Sequence, residues 1–159
     1  MLMRLFSGWR PVSVLVLYSV LMLGPHTASA QQRTPITLTR IYTGSDGQTH
    51  AETVEMKLTP AAGRYAQFAK WWEQSETVKV TSSRFIRWAP GFVQDWHPAA
   101  ARRYVISLSG QGEVELAGGQ KIALQPGRIL LAEDLTGKGH ITRTVGNADW
   151  IVLFVQFDE

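Results

Sequence analysis

From Val78 to the C-terminus, every stretch of this chain is short, alternating or apolar, and each is closed by Gly, Pro, Asn or Asp. Many short strands with turn residues between them restrict a chain to a sandwich or a barrel. The spacing predicts strands over 83–88, 102–108, 112–117, 120–124, 128–132, 139–145 and 149–157. Two more precede them. Residues 36–42 alternate up to the turn formers TGSDGQ, and residues 50–58 continue in period two with His50, Glu52, Val54, Met56 and Leu58 on one face. Between these groups, Thr59-Pro60 has the form of a helix start, with Thr as N-cap and Pro at the first helical position. Tyr65, Phe68 and Trp72 then follow at i, i+3 and i+7, predicting one short amphipathic helix packed on a sheet. The fold class is all-β.

The chain has 159 residues, enough for one domain with a real core. Residues 1–30 form a leader: Arg4 and Arg10 precede an apolar run, and Ala28-Ser29-Ala30 is the small-x-small pattern cut by signal peptidase. The expected mature domain is 31–159, exported to the periplasm or secreted, with no membrane span after cleavage. Removing the leader takes two of the 16 Lys and Arg and none of the 13 acidic residues. The domain is then near neutral, and no basic stripe points to nucleic acid as a partner. With no cysteine, disulfides and thiolate chemistry are excluded.

Chemistry enters at Gly91. It is followed by FVQDW, then His97-Pro98-Ala99, then Ala100, Ala101, Arg102 and Arg103, and, after six intervening residues, Gly110. Further along, Gly127 opens a stretch that reaches Gly137-Lys138-Gly139-His140 and Thr144. These intervals resemble the two motifs of the cupin family, small single-domain bacterial members above all, from about Gly91 to the C-terminus. In the first motif every interval fits, but Ala99 stands at the second His and Arg103 at the Glu. In the second, the interval is two residues longer, Leu135 stands at the Pro and Thr144 at the Asn.

The resemblance implies a double-stranded β-helix of the jelly-roll type. It also implies a divalent metal (Fe, Mn, Ni or Zn) held inside the barrel by three imidazoles and a carboxylate, which suits metal-dependent dioxygenase or isomerase/lyase chemistry. Here it leaves His97 and His140 as metal ligands, to be completed by Glu133 or Asp134, or by His50 and Glu52 if that strand face points inward. Arg103 argues against a cation, because a guanidinium has no lone pair to give and pairs readily with a carboxylate, sulfate or phosphate.

The expected function is therefore the binding of a small anionic or aromatic molecule in the barrel interior. Arg103, His97, His140, Trp96 and Tyr104 are the expected ligand-binding residues. The metalloenzyme and a homodimeric interaction module, paired through its N-terminal strands, are the alternatives. Which of Arg102 and Arg103 faces inward depends on strand register. Phe85 and Trp150 are expected in the core.

Overall fold

The structure is a computed structural model describing residues 33–158; the expected leader, 1–30, and its expected cleavage point near Ala30 lie outside the described residues. Twelve strands are present among the described residues. They are β1 (Thr37–Thr43), β2 (Thr49–Glu55), β3 (Thr59–Pro60), β4 (Glu73–Gln74), β5 (Val80–Trp88) and β6 (Val93–His97), followed by β7 (Arg103–Ser109), β8 (Gly112–Glu115), β9 (Lys121–Leu124), β10 (Ile129–Glu133), β11 (His140–Thr144) and β12 (Trp150–Phe157). One sheet has the order β2-β1-β10-β7-β12-β5, and a second has the order β6-β11-β8-β9. The β1–β10 pair is parallel and the other pairs are antiparallel. From β5 onward the chain crosses between the sheets at every step except the β8–β9 hairpin. That alternation of sheets is a jelly-roll barrel, the expected all-β class.

The two sheets face each other across one apolar core. Ile41, Val105, Leu130, Trp150 and Val152 of the larger sheet meet Val114, Leu116 and Leu124 from the β8–β9 region of the smaller. Trp150 is fully buried as expected, and its indole Nε1 donates to Ser107 Oγ at 3.0 Å, satisfying its one polar atom. Gly112 is required beneath this ring, since an added Cβ would sit 2.3 Å from the indole. Phe85, in contrast, is 74% exposed: it pairs in register with Leu153 on the outer face of β5 and β12.

Registers decide which face each residue takes. Ala132 of β10 and Gln156 of β12 flank Arg103, so all three point inward, while Tyr104 pairs with Leu131 and Val155 on the outside. The outer face is not bare: Leu38, Leu131 and Phe157 form a second apolar cluster there, with the Tyr104 ring tilted against Phe157 at 4.8 Å.

The expected helix over 61–75 is absent. Thr59-Pro60 pairs as β3 with β4, and only a 3-10 turn, Gly63–Phe68, lies between them. Gly63 takes φ of +58°, which starts no α-helix, and Ala62 holds the N-cap without a side-chain bond. Tyr65, Phe68 and Trp72 pack on one another instead, with Tyr65 4.5 Å from Trp72. Among the described residues no helix is long and apolar enough to cross a membrane.

Candidate functional site

A cavity of about 340 Å³ opens between the sheets. Its polar lining is His97, His140, Arg103, Arg84, Gln94 and Thr142; Trp88, Phe154, Ile86 and Val105 supply much of the apolar wall. The volume lies at the small end of the range for small-molecule sites, about 300–1,000 Å³.

His97 and His140 are cross-strand partners at the open ends of β6 and β11, with ring centroids 4.5 Å apart. Two local features bring them together. First, β6 is bulged: His140 pairs with His97, yet Thr142 pairs with Gln94, so an extra residue separates two positions that both face the cavity. Trp96, on the bulge, turns away to lie under the Lys138 ammonium at 3.8 Å. Second, Gly139 has φ of +74°, and a Cβ there would lie 2.1 Å from the His97 carbonyl oxygen. Only glycine lets the backbone before His140 approach the backbone of His97 so closely.

Both imidazoles are held by their Nδ1 atoms. His97 Nδ1 donates to the Asp95 carbonyl at 2.7 Å, and His140 Nδ1 donates to Asp134 Oδ2 at 2.6 Å. A carbonyl or carboxylate oxygen can only accept, so each Nδ1 carries a proton and Nε2 is the nitrogen left without a protein partner among the described residues. Burial, with smaller contributions from His140 and Arg103, holds the His97 imidazole below its ordinary range. Asp134 is fully buried; its Oδ2 also accepts from Thr49 Oγ1 at 3.1 Å, while Oδ1 has no protein partner.

Arg103 enters the same cavity from β7. Its guanidinium lies 4.7 Å from the centre of the Phe154 ring, and that of Arg84, nearer the mouth, lies 6.0 Å from the same ring. Among the described residues, no carboxylate stands within ion-pair distance of either. Burial, and then the Arg84 charge, lowers the Arg103 pKa from its ordinary value, and only the more distant Asp134 opposes them. Two like charges therefore flank one aromatic ring, with no carboxylate among the described residues to pair them, an arrangement that costs free energy until an anion joins it.

The remaining expected site residues lie elsewhere. His50 and Glu52 do share a strand face, but it is the outer one, because the inward positions of β2 are taken by Thr49 and Ala51. His50 Nε2 binds Asp46 at 3.0 Å, and Glu52 binds Arg40 at 2.7 Å. Glu133 also faces outward, between the guanidinium groups of Arg40 and Arg102. Tyr104 is in the outer cluster and Trp96 is outside the cavity lining. These five are corrected as site candidates. Asp134, one residue beyond Glu133, is the acid that faces in. Alternation along Leu130, Ala132 and Asp134 was the signal for it. Arg84, sharing the inward face of β5 with Ile86 and Trp88, carried the same kind of signal.

The residues present do not fit a divalent metal. Two imidazoles converge on the cavity, and the third partner is a cation. The one inward carboxylate is bonded to the outer nitrogen of His140 and to Thr49. Among the described residues no group of three or more His, Cys, Asp or Glu is arranged to hold a metal. At about 4–5 Å and an effective dielectric near 20, a guanidinium repels a divalent ion by several kcal/mol.

No protein-family model and no curated protein matches the chain. Similar solved structures include a cupin-2 domain containing protein from Shewanella frigidimarina, at 13% identity over 60% of this chain and 93% of that one, with a TM-score of 0.39. Another is a cupin superfamily protein from Desulfitobacterium hafniense, at 13% identity over 67% of this chain and all of that one, with a TM-score of 0.37. The likeness concerns the fold alone. The assignment of that fold to a jelly roll rests on strand order and register.

Proposed function

We propose that the barrel binds a small carboxylate with an apolar or aromatic body. The single observation carrying this reading is Arg103: a guanidinium inside an apolar-walled cavity, on the Phe154 ring, with no acidic partner at bonding distance among the described residues. Its five N–H donors match a carboxylate bidentately, and Arg84 at the mouth adds attraction on entry. Trp88, Ile86 and Phe154 would cover the apolar part of the ligand, and neutral His97 adds a hydrogen-bond position beside it.

Isothermal titration with benzoate tests the reading. Benzoate is expected to bind the wild type and to bind Arg103→Met at least 30-fold more weakly, about 2 kcal/mol for a lost charge-assisted pair. Equal affinity in the two proteins would remove Arg103, and this function with it.

A further inference from the structure

The binding reading leaves the Asp134–His140 pair unused: His140 lines the cavity and Asp134 stands behind it. Asp134 is fully buried, spends Oδ2 on His140 Nδ1 and Thr49, and turns the bare Nε2 of His140 toward the space that Arg103 also lines. A carboxylate that orients an imidazole from behind fixes its tautomer and stabilises the imidazolium formed when Nε2 takes a proton. The lining holds no lysine or serine, and the chain holds no cysteine; the hydroxyl there is that of Thr142. Anchored anion, positioned base and apolar walls together suit proton removal from carbon, which needs no co-reactant.

We propose that Asp134 and His140 form a proton-transfer dyad that enolises a 2-oxo carboxylic acid anchored by Arg103. This rests on the carboxylate-binding reading and names its substrate class. His140 Nε2 takes a proton from C3. The C–H pair becomes the C2=C3 bond, and the carbonyl π pair moves to oxygen, giving an enolate beside the Arg103 guanidinium. The imidazolium then returns its proton to carbon or to oxygen, so the net change is a keto–enol isomerisation and the dyad is restored. His140 is the catalytic residue; Asp134 is a positioning residue that acts through it.

The test uses phenylpyruvate in deuterated buffer, with loss of the C3 proton signal followed by NMR. Rates are taken at saturation, with occupancy set by titration of each protein separately. The wild type is expected to exchange the C3 protons at least 100-fold faster than buffer, His140→Gln at the buffer rate, and Asp134→Asn at least 10-fold slower than wild type. Thermal melts confirm that each variant is folded. The Nδ1 proton of His140 gives a second readout: far downfield in the wild type and lost in Asp134→Asn, which a packing role for Asp134 would not produce.

Bound phenylpyruvate exchanging at the buffer rate overturns the proposal and leaves carboxylate binding intact. So does Asp134→Asn exchanging at the wild-type rate. Benzoate binding without phenylpyruvate binding overturns the substrate class. Failure of both to bind overturns the carboxylate reading, and the dyad's role falls with it.

Discussion

Replacing Gly139 by Ala tests how the two imidazoles are brought together. The added Cβ would lie 2.1 Å from the His97 carbonyl oxygen and 2.4 Å from Pro98 N, both backbone atoms that no rotamer change can clear. Gly139 also sits at φ of +74°, where an L-residue costs about 1–2 kcal/mol. Forcing β6 away from β11 adds an overpacking cost of about 1–3 kcal/mol. The two together come to about 2–5 kcal/mol, a large part of the ~5–15 kcal/mol that holds a domain folded.

Gly91→Ala is the control, since Gly91 has φ of +80° but nothing within 4 Å of its Cβ position. It carries the conformational cost alone. At about 4 °C per kcal/mol for a domain of this size, Gly91→Ala should lower Tm by about 4–8 °C and Gly139→Ala by about 8–20 °C. Calorimetry reads both, and benzoate titration reads the second effect: only Gly139→Ala should also weaken binding, through displaced His97. If the two variants melt together and bind alike, the close approach does not position the site.

Three further outcomes are expected. Arg103→Met should leave the ligand-free protein as stable as the wild type or about 1 kcal/mol more stable, because it removes an unpaired charge beside Arg84; a clear fall in Tm would contradict this. His97 is held below its ordinary pKa of 6.5, so the unfolded chain binds its proton first as pH falls. Stability from this group is therefore full above pH 6.5 and declines as pH drops toward the folded pKa, a slope that urea titrations should find reduced in His97→Gln. Glu133→Gln should cost about 1–3 kcal/mol in those same titrations, because the side chain is only 11% exposed and bonds both Arg40 and Arg102, and should leave benzoate affinity unchanged, because those partners lie on the outer face.

The barrel was legible because closely spaced turn residues and period-two alternation are local signals, and a jelly roll repeats them. The inward Arg103 was legible too, since motif intervals and strand parity agree where the register runs without a slip from Arg103 to Ile106; the shift against β12 lies beyond, at Ile151–Val152. Parity within a strand was likewise correct for His50 and Glu52, which do share a face. Which face is inside is a tertiary fact, set when Ile41 and Ala51 take the core positions. Asp134 and Glu133 stand side by side as candidates in the sequence, and only the inward run of Leu130 and Ala132 separates them.

Other features were hidden for physical reasons. The bulge at Asp95–Trp96 breaks parity inside β6, so no alternation rule could place both Gln94 and His97 in the cavity. The aromatic spacing over 65–72 mimicked an amphipathic helix, but Gly63 and the β3–β4 pairing override helix propensity there. Outer-face burial misled as well: Tyr104 is bulky and aromatic in a strand next to the motif, yet it packs on Phe157 rather than on a ligand.

The central claim, that the barrel interior is an anion site built on Arg103, is tested most directly by a crystal structure with 4-bromobenzoate. Bromine anomalous scattering fixes the orientation of the ligand. The account predicts the carboxylate at ~3 Å from the Arg103 guanidinium and the bromophenyl ring against Trp88 and Phe154. A 4-bromobenzoate bound only outside the barrel, or a metal ion on His97 and His140 in its place, would contradict it.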